Sequence, residues 1–225
     1  MKGLNQGGDK ANKYFLSPMK GDFVLFSKTP KEGFEEYITP QSGKLKYIQK
    51  FSNVTGFVRD LRTKDTDYGK KWELELFNDG DTYIVEWNYS CGYSTTFLSQ
   101  FENIDFTKMI TLSLSVKEVE LDKKDEKTKK PVVITLGSMW VRQDDETVGF
   151  KYTKDKPNGR PEVEVVKVKG QETNDDTKRL EFHEAIVSDI IKKVKESIVV
   201  EPTSDPFHEE GGAVSNELVD DDLPF

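Results

Sequence analysis

The sequence contains very little cysteine and histidine. Cys91 is the single cysteine, so no disulfide can form within the chain. His183 and His208 are the only histidines, which argues against a Cys/His zinc site. Stability must therefore come from packing, and a hydrophobic content of 35% is sufficient for a β core.

Long hydrophobic runs are also missing. No apolar stretch approaches the roughly 18 residues that a membrane span needs. Residues 1–8 lack the apolar segment of a signal peptide. We therefore expect a protein of the cytoplasm that does not enter a membrane.

Motifs for catalysis are absent as well. The chain has no phosphate-binding loop, nucleophile elbow, metal-binding histidine pair or dinucleotide fingerprint. The carboxylates of Asp60, Asp65 and Asp67 could in principle hold the Mg²⁺ of a nuclease, but solvation and ion pairing with nearby lysines account for them more simply. The pattern favours a binding protein without a metal or cofactor over an enzyme.

Charge is distributed unevenly along the chain, whose net charge is −8. Residues 200–225 contain eight of the 41 acidic residues and no Lys or Arg, so 33 acidic residues remain to balance the 33 basic ones. Within that balanced part, residues 1–71 carry a net charge of +6 and residues 72–199 a net charge of −6. The sequence therefore predicts a basic region, a more acidic region and a strongly acidic tail.

A hairpin is the clearest local signal. Residues 72–77 and 82–87 alternate between apolar and polar side chains on either side of a turn at 78–81. Asp79 and Gly80 supply the positive backbone angles that a tight turn needs. We therefore predict two paired antiparallel strands here.

Further elements extend this hairpin into a β domain. A strand with alternating residues begins at Val54, a short helix is predicted over 95–102, and strands follow over 109–121 and 131–136. The order strand, strand, strand, short helix, strand, strand is that of an OB-fold, the small barrel used for oligonucleotides. A β-sandwich fits the same pattern, so both architectures stay open.

The whole chain is predicted to be mainly β, with an OB-like five-stranded barrel and extra strands. Apolar residues at three- and four-residue spacing predict one amphipathic helix over 178–197, which packs on the barrel or on another subunit. Residues 1–20 are predicted to be mobile. Residues 200–225, with prolines, glycines and acids, are predicted to be a disordered tail, which leaves 21–199 as the core.

The tail carries a motif that solubility alone does not require, Asp220-Asp221-Asp222-Leu223-Pro224-Phe225. A terminal aromatic ring can fill an apolar pocket of a partner while its carboxylate contacts a basic rim. The proline reduces the entropy lost on docking. This segment closely resembles the C-terminal peptide of bacterial single-stranded-DNA-binding proteins, which in that family docks replication and repair proteins.

The overall layout, with a late helix and a short linker, is more similar to that of phage single-stranded-DNA-binding proteins. The resemblance implies a protein that binds and protects single-stranded DNA in phage replication, recombination or repair, in the cytoplasm of the host. It also implies that the tail recruits a polymerase, helicase or primase, and it leaves open whether the chain forms a homodimer. Two alternatives remain: a tail that only improves solubility, and a core that docks replication proteins rather than DNA.

The predicted DNA surface lies in the basic stretch from residue 44 to residue 72, because single strands bind in basic grooves where aromatic rings stack on bases. Phe57 beside Arg59, and Tyr68 in the loop at 63–70, are the leading stacking candidates. A second aromatic cluster follows the hairpin, and some of its rings belong to the core. The predicted contacts are Lys46, Lys50, Phe57, Arg59, Arg62, Lys64, Tyr68, Lys70, Lys71, Trp72, Trp87, Tyr89 and Tyr93.

An acidic tail tethered to a basic surface should compete there with phosphate, because the tether keeps its local concentration high. Deleting residues 217–225 should therefore strengthen binding to single-stranded DNA, most clearly at low salt, where Coulomb interactions extend furthest. Oligonucleotide titrations at two salt concentrations measure the effect. Removing Phe225 alone is the matched control: it should abolish partner docking and leave DNA affinity unchanged. Weaker DNA binding by the truncated chain would contradict the competition.

Overall fold

The computed structural model describes residues 12–40, 42–124, 131–168 and 171–199. These residues form a mainly β fold with two helices. In chain order the elements are β1 (Lys13–Met19), β2 (Asp22–Ser27), β3 (Glu35–Ile38), β4 (Leu45–Phe51), β5 (Asn53–Thr66), β6 (Gly69–Asn78), β7 (Asp81–Asn88), α1 (Gly92–Phe101), β8 (Ile110–Lys124), β9 (Pro131–Gln143), β10 (Glu146–Thr147), β11 (Glu164–Val168), β12 (Gln171–Asp175) and α2 (Thr177–Val199).

Ten strands form one large sheet, in the order β10-β9-β8-β5-β6-β7-β1-β2-β4-β3, while β11 and β12 form a separate pair. The hydrogen-bonded ladder ends at β10 and at β3, so the sheet is open and does not show the expected five-stranded barrel. The reason lies at β7. One of its edges pairs with β6 and the other pairs in parallel with β1, so β7 has no edge left for β9.

The same parallel pairing corrects a predicted domain boundary. The prediction of a mobile N-terminus over residues 1–20 is wrong for 13–19, which form β1. Leu16 is buried in the core, and the backbone N–H of Thr82 donates to the carbonyl oxygen of Asn12 (2.8 Å). A few apolar side chains on one face of a strand are enough to hold it in a sheet.

The order of elements in the middle of the chain is confirmed. β5, β6 and β7 form an antiparallel meander, α1 follows, and β8 pairs with β5 and β9. The predicted turn is present, with positive φ at Asp79 (49°) and Gly80 (85°). Helix α2 covers the predicted range 178–197. The tail at 200–225, including the docking motif from Asp220 to Phe225, lies outside the described residues.

The hydrophobic core lies on one face of β5, β6 and β7. Trp72, Leu74 and Leu76 of β6 are fully buried there. A bulge between Val58 and Asp60 adds one residue to β5. On both sides of the bulge, the apolar side chains of β5 therefore lie opposite the apolar side chains of β6. Both helices cover this face through Phe97, Leu98, Phe101, Leu180, Val187 and Ile191.

Helix α2 packs on its own sheet, along the part of β5 that β8 leaves unpaired. The carboxylate of Glu184 accepts hydrogen bonds from the Thr63 hydroxyl (2.7 Å), the Lys70 ammonium group (2.7 Å) and the Tyr89 hydroxyl (2.9 Å). Burial alone would raise the pKa of Glu184, but these three donors hold it below its usual value.

Within the described residues, neither helix has the length and hydropathy of a membrane span.

His183 lies on the buried side of α2, against aromatic rings. Its ring centroid is 5.2 Å from that of Tyr152 and 5.5 Å from that of Phe182. Burial, with the positive charges of Arg160 and Arg179, lowers the pKa of His183 to about 4. The folded protein therefore holds this imidazole neutral at pH values where an unfolded chain would protonate it.

The start of α1 depends on a close contact between two glycines, and Gly92→Ala tests it. A Cβ at Gly92 would collide with the carbonyl oxygen of Gly137 on β9. We expect this substitution to lower the free energy of unfolding by about 1–3 kcal/mol, measured by urea denaturation. The control is Gly149→Ala, where a Cβ meets no atom within 4 Å, and a change within about 0.5 kcal/mol is expected. Equal stability of the two variants would show that α1 can move away from β9.

Stability should fall as the pH drops from about 6.5 to about 4, because the unfolded chain then binds a proton at His183 that the folded chain does not. The expected contribution of this residue is about 3 kcal/mol. Denaturation of the protein and of His183→Phe across this range measures it. The variant keeps a ring among the same neighbours and should lose this part of the pH dependence. An identical pH dependence in both proteins would show that protonation of His183 does not cause the loss of stability.

Candidate nucleic-acid interface

Several predicted cations are paired with carboxylates in the fold. Arg62 forms ion pairs with Asp60 (2.6 Å) and with Glu73. Lys64 lies 3.8 Å from Glu73 and 3.6 Å from Glu86. The charges of Arg62 and Lys64 are therefore offset by carboxylates of β5, β6 and β7. The prediction that both of them are available to phosphate is not supported by this geometry.

Three further predicted contacts belong to the interior. Trp72 is fully buried, and its Nε1 donates to the carbonyl oxygen of Tyr89 (3.2 Å). Trp87 is 4% exposed, and its Nε1 donates to the Ser94 hydroxyl (3.0 Å). Lys71 is 7% exposed, and burial lowers its pKa. A side chain without surface cannot stack on a base, so the assignment of Trp72 and Trp87 to the interface is wrong.

The aromatic cluster after the hairpin is also held in place by the fold. The Tyr89 ring stacks on Trp72, with 5.4 Å between the ring centroids. The Lys70 ammonium group lies 4.6 Å from the centroid of the Tyr89 ring. Burial and the hydrogen bond to Glu184 raise the pKa of Tyr89. Lys70 and Tyr89 both bind Glu184, so they join α2 to the sheet rather than present a groove.

Tyr93 contacts the backbone of β9. A Cβ at Gly137 would come within 2.5 Å of Cζ of the Tyr93 ring, so the ring lies directly on that glycine. Burial raises the pKa of Tyr93. Its role is to pack α1 against β9, and the prediction that it contacts DNA is not supported by its position.

Four further predicted residues are two exposed aromatic rings and two half-buried cations that lie over rings. Phe57 is 37% exposed and Tyr68, beside the β5–β6 turn, is 63% exposed. The Arg59 guanidinium group lies over Phe77, 5.0 Å from the ring centroid. The ammonium group of Lys46 lies 5.4 Å from the centroid of Phe26. Unlike Arg62 and Lys64, the half-buried Arg59 and Lys46 form no ion pair within the described residues.

Lys50, on the same strand as Lys46, is more exposed than Lys46 but is paired with a carboxylate. It forms an ion pair with Glu35 of β3, and this hydrogen bond raises the pKa of Lys50. Both side chains are about half exposed. The pair neutralises the acidic residue on this part of the sheet and leaves Lys46 as the cation near Phe26.

The structure adds a set of residues that the sequence prediction missed. Phe15 of β1 is 54% exposed and Phe26 of β2 is 37% exposed. The ammonium group of Lys13 lies 5.7 Å from the centroid of Phe15. Tyr37 of β3 contacts the edge of Phe26 at 6.3 Å. All of them lie on the sheet face opposite the core.

Strand register joins both sets into one surface. Phe57 pairs with Phe77, and Phe77 pairs with Thr82. Thr82 pairs in turn with Lys13, next to Phe15. We call this surface the aromatic face, and it comprises Lys13, Phe15, Phe26, Tyr37, Lys46, Phe57, Arg59 and Phe77.

The aromatic face follows the sheet across the seven strands from β5 to β3. The sheet curves strongly, because β2 also approaches β5 and β8. Three rings on it carry a cation: Phe15, Phe26 and Phe77. Each such pair offers a flat apolar surface beside a positive charge, and a single strand presents the complementary flat base beside a negative phosphate.

A signal for this face was present in the sequence. In the run Phe23-Val24-Leu25-Phe26, apolar residues occupy successive positions, so both faces of β2 are apolar. Phe15 beside Leu16 shows the same feature in β1. One face of each strand is needed for the core, and the other carries exposed aromatic rings.

Other kinds of site find no support in the described part of the chain. It holds no group of three or more His, Cys, Asp or Glu side chains arranged to bind a metal ion. No family model matches the sequence, and comparisons with curated proteins and with solved structures give no match.

Proposed function

We propose that the protein binds single-stranded DNA across the aromatic face. The observation that carries the proposal is that three cation–ring pairs lie on one exposed side of a single sheet. Bases would stack on Phe15, Phe26 and Phe57, and Lys13, Lys46 and Arg59 would contact phosphates. Duplex DNA hides the faces of its bases, so exposed rings favour a single strand.

The arrangement of β5 to β9 around α1 supports an OB-like origin for this domain. The order of strands and helix is that of the OB-fold. Such folds bind oligonucleotides on the face of their second and third strands. These correspond to β6 and β7, and Phe77 of β6 is paired there with Phe57 of β5. In this proposal β1 to β4 extend the binding surface beyond the OB-like unit.

The acidic tail supports the second part of the proposal, that the bound protein recruits partners. The segment Asp220-Asp221-Asp222-Leu223-Pro224-Phe225 has the chemistry of a docking peptide. Together the two parts describe a protein that protects single-stranded DNA in phage-type replication, recombination or repair, and recruits a polymerase, helicase or primase.

Alanine substitutions on the aromatic face test DNA binding. Phe15→Ala, Phe26→Ala and Phe57→Ala should each weaken binding to a labelled oligonucleotide by about 1–3 kcal/mol, because each removes a stacking surface. The matched control is Phe150→Ala. Phe150 is 41% exposed and contacts Trp140 on β9, away from the aromatic face, so its removal should not change affinity.

Two further measurements separate the possible outcomes. The affinity of the full chain should fall with salt by a log–log slope of about −0.7 per neutralised phosphate, and a duplex of the same sequence should bind more weakly. Unchanged affinity in all three variants would remove the aromatic face from the site. If no oligonucleotide binds while replication proteins are still captured through the core, the alternative of a protein-docking core replaces this proposal.

A further inference from the structure

A pair of arginines meets beside α2. The Arg160 guanidinium group lies 5.5 Å from the centroid of the Tyr152 ring and donates to the Ser99 hydroxyl (3.0 Å). Nε of Arg179 donates to the carbonyl oxygen of Pro161, the residue next to Arg160 (3.1 Å). Each arginine is thus held by neutral partners, and the two charges are kept near each other.

No carboxylate offsets these charges in the part of the chain that the structure describes. None of its ion pairs includes Arg160 or Arg179. Burial and the charge of Arg179 lower the pKa of Arg160, and no acidic group acts in the opposite direction. Two like charges in a half-buried site cost free energy, which a bound anion would offset.

His183 joins this cluster one helical turn after Arg179. Its ring packs on Tyr152, the same ring that the Arg160 guanidinium covers. The side chain is 3% exposed, and its Nε2 has no hydrogen-bond partner among the residues that the structure describes. His183 is therefore a buried neutral neighbour of the two arginines, whose charges already lower its pKa.

We propose that Arg160 and Arg179 form a binding site for a phosphate group, beside the buried ring of His183. Guanidinium groups bind phosphate through paired N–H donors, and a dianion would neutralise both arginines at once. The site is separate from the aromatic face, because Glu184, next to His183, contacts Thr63 and Tyr89 on the core side of the sheet. The phosphate belongs either to the DNA backbone or to a small phosphorylated compound.

Nuclear magnetic resonance of the full chain tests the site directly. His183 and His208 are the only histidines, so two imidazole signals report on the cluster and on the tail. Inorganic phosphate, added against sodium chloride at equal ionic strength, should shift the His183 signal and raise the pKa of His183. The His208 signal provides an internal reference. If phosphate moves the His183 signal no more than chloride does, the proposal is wrong.

Stability gives a second measurement that does not depend on activity. Phosphate at ten times its dissociation constant should raise the folding equilibrium constant about elevenfold over the chloride control. Arg160→Gln and Arg179→Gln should each lose most of this difference, whatever their stability in chloride. Arg142→Gln, at an exposed arginine of β9 that donates to the Asp145 carbonyl, should keep it. Retention of the phosphate effect in the first two variants would overturn the assignment.

Oligonucleotide titration then distinguishes the two sources of phosphate. If the DNA backbone enters the site, Arg160→Gln and Arg179→Gln should make the log–log salt slope shallower by about 0.7, and Arg142→Gln should not. If the slope is unchanged while the phosphate effects above persist, the ligand is a small phosphorylated compound. The DNA affinity of the aromatic-face alanine variants tests the proposed function only. Its outcome neither supports nor contradicts the phosphate site.

Discussion

The parallel pairing of β1 with β7 is the contact on which the rest of the structure depends. By occupying the second edge of β7, β1 keeps the sheet open and connects β2, β4 and β3 to β5, β6 and β7. Leu16 then completes the core on one face, while Phe15 extends the aromatic face on the other. Strand β1 thus contributes both to the core and to the proposed binding surface.

Local features were predictable from the sequence. The turn at Asp79 and Gly80 follows from the backbone freedom of those two residues, and α2 follows from the spacing of its apolar side chains. Both signals lie within about twenty residues of sequence and need no distant partner. The order of strands around α1 could be predicted for the same reason, because each element carries its own pattern.

The binding residues were harder to predict, because their state depends on distant parts of the chain. Trp72 and Trp87 look like surface rings until α1 and α2 cover that face of the sheet. Lys70 looks like a free cation until Glu184, more than a hundred residues later, reaches it. Phe15 was missed because residues 1–20 are predicted to be mobile, so the adjacent apolar side chains of Phe15 and Leu16 were not assigned to a strand.

The β1–β7 pairing also determines the order in which the molecule can assemble. Asn12 and Asp81, hydrogen-bonded beside this pair, lie 69 residues apart in sequence, so the contact is strongly non-local and slow to form. During synthesis, β1 to β4 leave the ribosome with one edge of their small sheet unpaired until β7 has followed. In that interval the exposed edge and its aromatic rings are open to association with other chains. A chaperone that binds the nascent chain at this stage would therefore increase the yield of folded protein.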